Sequence, residues 1–153
     1  MVELDRLIAE ARAAMGRAYA PYSNFAVGAA ILGEGGGIYA GANVENAAYP
    51  QGQCAESSAI GAMILGGEQR IRAIVVMGGA PGDGLLCTPC GGCRQRLREF
   101  AAPGMAVHIC GPEGLRRSFT LEELLPHSFG PDHLADHPDG QPGGQRGGRG
   151  TLA

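Results

Sequence analysis

Residues 71–110 read IRAIVVMGGAPGDGLLCTPCGGCRQRLREFAAPGMAVHIC, and their order decides the fold. The run 71–77 is apolar and short, as a buried strand is. A loop rich in Gly and Pro fills 78–89, residues 90–100 read as a helix that opens just after Pro89, and 105–110 is apolar again. Strand, helix, strand implies an α/β sheet with helices on its faces, and right-handed crossovers make its later strands parallel neighbours. Working outward, residues 54–65 form a second helix that stops at Gly66-Gly67, where glycine accepts the left-handed conformation of a helix end. Further upstream, 25–32 and 38–44 make a hairpin around a turn at 33–37. Leu4, Leu7, Ile8, Ala11, Met15 and Ala18 recur at helical spacing and predict an amphipathic helix over 3–18. Downstream, 115–119 adds a strand and 121–125 turns helical, so the expected sheet is mixed, with about five strands. The expected domain covers residues 1–134. Residues 135–153, ADHPDGQPGGQRGGRGTLA, hold too little apolar material to offset the entropy of ordering and read as a disordered tail.

The chain has 153 residues, 44% of them hydrophobic, which is enough for one domain with a real core. A net charge of -3 with no basic run, and few aromatic side chains, argue against a nucleic-acid partner and for a small substrate. Apolar stretches such as 26–32 and 71–77 fall well short of membrane-spanning length. The cysteine count is odd, at five, and the Met1 end lacks the succession of a signal peptide, so a reducing cytoplasm is the expected location.

Chemistry is concentrated in Cys54-Ala55-Glu56 and Pro89-Cys90-Gly91-Gly92-Cys93. Cys90 and Cys93 lie on one face near a helix N-terminus, and Cys54 opens the preceding helix, so helix dipoles should lower the thiol pKa values. Three thiolates hold Zn2+ with one position left open, the arrangement of a hydrolytic rather than a structural site. Glu56 beside them is placed to move protons. The rival reading is a structural four-thiolate zinc that includes Cys87. Otherwise Cys87 and Cys110 are small apolar residues. Asn43 and Glu45 fall on one face of a strand end, where an amide and a carboxylate can bind sugar hydroxyls or merely build a turn. His108 reads as a packed strand residue, and His133 and His137 receive no role.

Four motifs in order resemble the small cytidine deaminases: residues 21–30 (PYSNFAVGAA), Asn43-Val44-Glu45-Asn46, Cys54-Ala55-Glu56, and residues 89–95 (PCGGCRQ). The zinc spacing, with His or Cys first, is a general signature of nucleobase deaminases. The resemblance covers residues 1–134 and implies a three-layer α/β/α sandwich, a homotetramer, and conversion of cytidine or deoxycytidine to the uridine counterpart in pyrimidine salvage. By that resemblance Cys54, Cys90 and Cys93 hold one Zn2+ per subunit and Glu56 shuttles protons. Asn43 and Glu45 take the ribose, Phe25 lies against the pyrimidine, and Ala55 adds a substrate contact. Residues 124–129 (LLPHSF) are similar to the family's C-terminal motif, which implies that Phe129 reaches a neighbouring subunit's site.

One departure stands out. Most members with three cysteine ligands carry Arg after Cys-Ala-Glu, and this chain has Ser57. Three thiolates on Zn2+ leave a net charge of about -1 that weakens the metal as an acid unless positive groups compensate. Arg94, the helix N-termini and hydrogen bonds from Ser57 are the expected compensation. Alternatives are a deaminase of another aminopyrimidine, similar to the blasticidin S deaminases, or a non-catalytic zinc module of the same fold.

Overall fold

The computed structural model describes residues 2–134. The expected tail, 135–153, lies outside the described residues. Helix α1 (Val2–Met15) opens with Glu3 and Asp5 and carries Arg12 in its last turn, matching the helix dipole at both ends. It ends earlier than its periodicity predicts, because the following residues pair elsewhere: Tyr19 N–H donates to Asn43 O, and Glu45 N–H donates back to Tyr19 O.

Strands β1 (Val27–Gly33), β2 (Ile38–Ala42), β3 (Ile71–Gly78), β4 (Ala106–Gly111) and β5 (Gly114–Thr120) form one sheet in the order β2-β1-β3-β4-β5. Helix α2 (Ala55–Leu65) precedes β3, α3 (Gly91–Phe100) joins β3 to β4, and α4 (Leu121–Leu124) follows β5 with a capping box at Thr120. Short 3-10 turns occupy Tyr49–Gln51 and Pro131–Leu134. Helix α2 ends as expected, although Gly66 itself stays right-handed and the left-handed residue is Gly67, at φ 90°.

The parallel expectation holds for β3 and β4 alone; β5 runs antiparallel to β4. Only Pro112 and Glu113 separate the two strands, and a connection that short can turn the chain back but cannot carry it across a sheet.

Two cores give three layers. Leu7 and Ala11 of α1 pack on Ala30, Leu32, Val75 and Met77, while α2 and α3 cover Ala29, Ile31, Ile74, Val76, Val107 and Ile109 on the opposite face. Neighbours along β1 and β3 thus point into different cores, as strand alternation requires. Both helix layers approach the β1–β2 pair where it lacks side chains. A β-carbon on Gly28 would stand 2.0 Å from Ala11 O of α1, and one on Gly41 would stand 2.3 Å from Ala59 N of α2. The close seat at Gly41 brings the N-terminus of α2 to the end of β2.

Candidate metal centre and pocket

Cys54 and Cys90 are the N-cap residues of α2 and α3, both with extended backbones and neither with a side-chain cap bond. Cys93 sits in the first turn of α3 and is fully buried. The Sγ atoms of Cys54, Cys90 and Cys93 lie within 4.8 Å of one another. Tetrahedral zinc, with Zn–S bonds of about 2.3 Å, separates its sulfurs by about 3.8 Å. Cys54 and Cys90 Sγ are 3.9 Å apart. Cys87 lies outside this cluster.

The electrostatics of the corner favour a cation. Burial raises the Cys54 thiol, and Cys90 and Glu56 add repulsion. Burial also raises Cys93, with Glu56 and Cys54 pushing the same way. At Cys90 burial is outweighed by the N–H groups of Cys93 and Gly92 and by the neighbouring thiols, so its pKa falls. The expected lowering by helix N-termini thus holds at Cys90 alone. Three crowded sulfurs beside a carboxylate cannot all ionise without a positive ion among them.

Glu56, in the first turn of α2, is 4% exposed and is the one buried acidic residue among the described residues. Burial raises its pKa, against a lowering from its own backbone N–H, Cys93 and the charge of Arg96. A carboxyl poised upward in this way can hold a proton and release it nearer neutrality.

Glu56, Cys54, Ala55 and Cys90 line a cavity of about 530 Å³, the size of a small-ligand site. Asn43 and Glu45 line the same cavity. These two leave the strand, since β2 stops at Ala42 and Val44 is held only by bridges to Tyr19 and Gln53. Asn43 accepts from Val27 N–H at 2.8 Å and donates to Phe25 O at 2.9 Å. Glu45 accepts from Tyr22 and Ser23 N–H, and the Ser23 side chain, followed by these backbone bonds, holds its carboxyl below the ordinary range.

The model of the cytidine and deoxycytidylate deaminase zinc-binding region matches residues 1–109. The chain belongs to this deaminase family. It is 38% identical over 134 residues to a cytidine deaminase of Sporosarcina psychrophila, covering 88% of this chain and 96% of that one. It is 40% identical over 133 residues to a cytidine deaminase of Mycobacterium tuberculosis H37Rv, covering 87% and 94%. The crystal structure of cytidine deaminase from Burkholderia pseudomallei superposes with a TM-score of 0.74 at 38% identity, over 82% of this chain and 98% of that one. The sandwich is thus the deaminase fold, and the sulfur corner falls within its zinc-binding region.

Other expected site residues of this family member have different surroundings. Arg94 donates through Nε to Pro89 O, through Nη1 to Leu124 O and through Nη2 to Thr88 Oγ1. Its guanidinium braces the loop before α3 against α4 and makes no hydrogen bond to a sulfur. The arginine whose charge acts on Glu56 is Arg96. No hydrogen bond joins Ser57 to a sulfur among the described residues; the adjacent Ser58 donates to Ala42 O and ties α2 to β2. Phe25 is 38% exposed and lies beside the cavity rather than in its wall. Phe129 is outside the cavity too, with its ring stacked on His133 at 4.9 Å and its carbonyl held by Gln95. Sequence reasoning missed Tyr22 and Tyr49, which line the mouth with rings 5.6 Å apart, and Cys87, which lines the wall. Turn-like surroundings hid the tyrosines, and no periodic pattern marks them.

Proposed function

We propose that the chain hydrolyses cytidine and deoxycytidine to uridine and deoxyuridine, consuming water and releasing ammonia. The observation that carries this reading is a buried glutamate beside three converging sulfurs, on the wall of a cavity that is also lined by an amide and a carboxylate. The donor set suits zinc, with soft ligands near tetrahedral spacing, and Cys54, Cys90 and Cys93 would hold one ion. When bound, zinc supplies acidity to a water molecule and so a nucleophile at neutral pH.

The protein's own groups do the rest. Glu56 takes the two protons of the consumed water in turn at its carboxylate, passing the first to the pyrimidine ring nitrogen and the second to the departing amine. Burial keeps bulk water from competing for that proton. Ala55, in the wall, offers backbone beside the base. Asn43 and Glu45 are already fastened to the backbone of 22–27, which holds their remaining hydrogen-bonding capacity towards ribose hydroxyls at no further ordering cost.

A four-thiolate structural module is disfavoured, because Cys87 stands apart from the cluster of Cys54, Cys90 and Cys93. A specialised deaminase of another aminopyrimidine is not favoured by relatives named as cytidine deaminases. The same reading makes the chain a cytoplasmic enzyme of pyrimidine nucleoside salvage and a homotetramer. Support for assembly comes from aromatic side chains left in solvent, Tyr49 of the cavity lining at 74% and Phe129 at 56%, with Phe129 entering a neighbouring subunit's site. No helix among the described residues is long and apolar enough to cross a membrane.

Incubation of purified protein with cytidine tests the activity. Loss of the cytidine ultraviolet band, with one ammonia per nucleoside and sensitivity to a chelator, is expected; a zinc-loaded protein that leaves cytidine intact would overturn the reading. Cys87→Ser should retain zinc, whereas a four-thiolate centre would release it.

A further inference from the structure

The loop between β3 and α3 forms part of the cavity wall, yet residues 79–88 contain no helix or strand. Gly79, Gly82 and Gly84 all take positive φ, so the backbone there is shaped by glycine and not by packing. Inside the loop, the Asp83 carboxylate accepts from Ala80 N–H and Leu85 N–H, which folds the segment on itself but ties it to nothing else. Leu85 and Leu86 are 45% and 36% exposed, so neither is a buried core anchor.

The tie comes from the far side of the sheet. The Arg116 side chain of β5 is only 7% exposed and extends over Gly111, where a β-carbon would stand 2.2 Å from its guanidinium. Nη2 donates to Ala80 O at 2.8 Å, Nη1 donates to Leu85 O and pairs with Asp83, and Nε pairs with Glu113 at 2.7 Å. A planar fork is the one side chain able to meet two carbonyls and two carboxylates at once. Just beyond the clamped segment come Cys87 and Thr88 of the cavity wall. The Cys87 sulfur lies against Gly78 at the end of β3, where a β-carbon would stand 2.7 Å from it and 3.5 Å from the Phe25 ring.

We propose that Arg116 is a positioning residue for the deaminase site: with Asp83 and Glu113 it latches residues 80–85 to the β4–β5 turn, and so seats Cys87 and Thr88 against the substrate cavity. This rests on the deaminase reading above and adds to it a residue on the opposite side of the sheet from α2 and α3. Hydrogen bonds from Arg116 also hold the Glu113 carboxyl down at about 2, and the loop's own N–H groups, with Arg116 behind them, hold Asp83 low, so the latch is charged on both sides throughout the neutral range. Arg94, which bonds Thr88 and Pro89, fixes the other end of the loop. The cavity wall is thus suspended between two arginines, one on α3 and one on β5.

The test uses the zinc-loaded full chain with Arg116→Met, which keeps the length of the side chain and removes the fork. Two readouts are taken: kcat and KM for cytidine, and the rate at which iodoacetamide alkylates Cys87, followed by peptide mass spectrometry. Cys110, fully buried in the opposite core, is the internal reference for general loosening. With the wall unlatched, KM rises about tenfold while kcat stays within about twofold, because the lost contacts orient bound substrate and not the proton shuttle. Cys87 labels about tenfold faster and Cys110 does not change, as local opening without global unfolding requires. Asp83→Asn, which leaves the sheet side of the latch intact, shifts both readouts in the same direction by less, and stands in if Arg116→Met does not fold. Unchanged Cys87 labelling and KM, or Cys87 and Cys110 labelling that rises together, would overturn the latch. Wild-type protein that fails to turn over cytidine sinks the deaminase reading separately, and the labelling comparison still decides the latch.

Discussion

Two parts of the cavity wall, a sulfur end and a polar end, are built in opposite ways. At the sulfur end helices begin at the ligand residues: Cys54 and Cys90 cap α2 and α3, and Cys93 and Glu56 follow in the first turns. At the polar end there is no regular element. Asn43 and Glu45 follow β2, and their side chains hold the backbone of Phe25, Val27, Tyr22 and Ser23 in place. A helix terminus orients side chains through its own repeat, whereas a loop must borrow side chains as braces. Substitution at the sulfur end should therefore remove chemistry, and substitution at the polar end should loosen structure and binding together.

Cys93→Ala breaks the sulfur end most completely: metal analysis should find less than one zinc per chain, with turnover lost by at least about 10³-fold because the open-position site no longer forms. Full zinc occupancy in that variant would show that the sulfurs do not act as one centre. Glu56→Gln is the sharper instrument. It should keep zinc and the melting temperature while kcat falls by about 10³-fold, the scale of a lost general acid and base. Retained turnover would remove Glu56 from the proton path.

Asn43→Ala tests the other half of the contrast. It leaves Val27 N–H and Phe25 O without partners, and should cost about 1–2 kcal/mol of stability together with a KM rise of about tenfold. A KM change with unaltered denaturant midpoint would mean that Asn43 serves the ligand alone.

The smallest effect concerns a brace away from the cavity. Glu68 accepts from Gly35 and Gly37 N–H and from Tyr39 O–H, and these bonds, led by that of Gly35, lower its pKa. A lowered folded-state pKa means that the unfolded chain binds more protons, so the contribution is present above about 4.5 and fades as pH falls through the folded value. Wild type should therefore be more stable than Glu68→Gln at neutral pH, and the two should converge in acid. A gap that persists at low pH would mean that the brace does not depend on charge.

Much of this was readable from spacing. Residues 54–65 and 90–100 show their helices because Gly66-Gly67 and Pro89 punctuate them, and the apolar runs at 71–77 and 105–110 are too short for anything but strands. Arg94 was not readable: adjacent to Cys93, it points to the sulfurs on paper, while the fold directs it to Thr88, Pro89 and Leu124. The direction of β5 was hidden by the assumption of a crossover where two residues make a turn. The place of Cys87 in the wall depends on Gly78, nine residues away, and on a latch from β5.

The amino-acid sequence by itself determined which residues open helices, which strands are buried, and that Cys90 and Cys93 share a face. Covalent geometry sets those features over three or four residues, so they survive without any partner. Only the tertiary structure decided that Cys54 meets Cys90 across 36 positions, that Glu56 is buried beside them, and which atoms each arginine reaches. Those outcomes depend on how layers stack on the sheet, and a long flexible cation takes its direction from whichever carbonyls the stacking leaves within its reach.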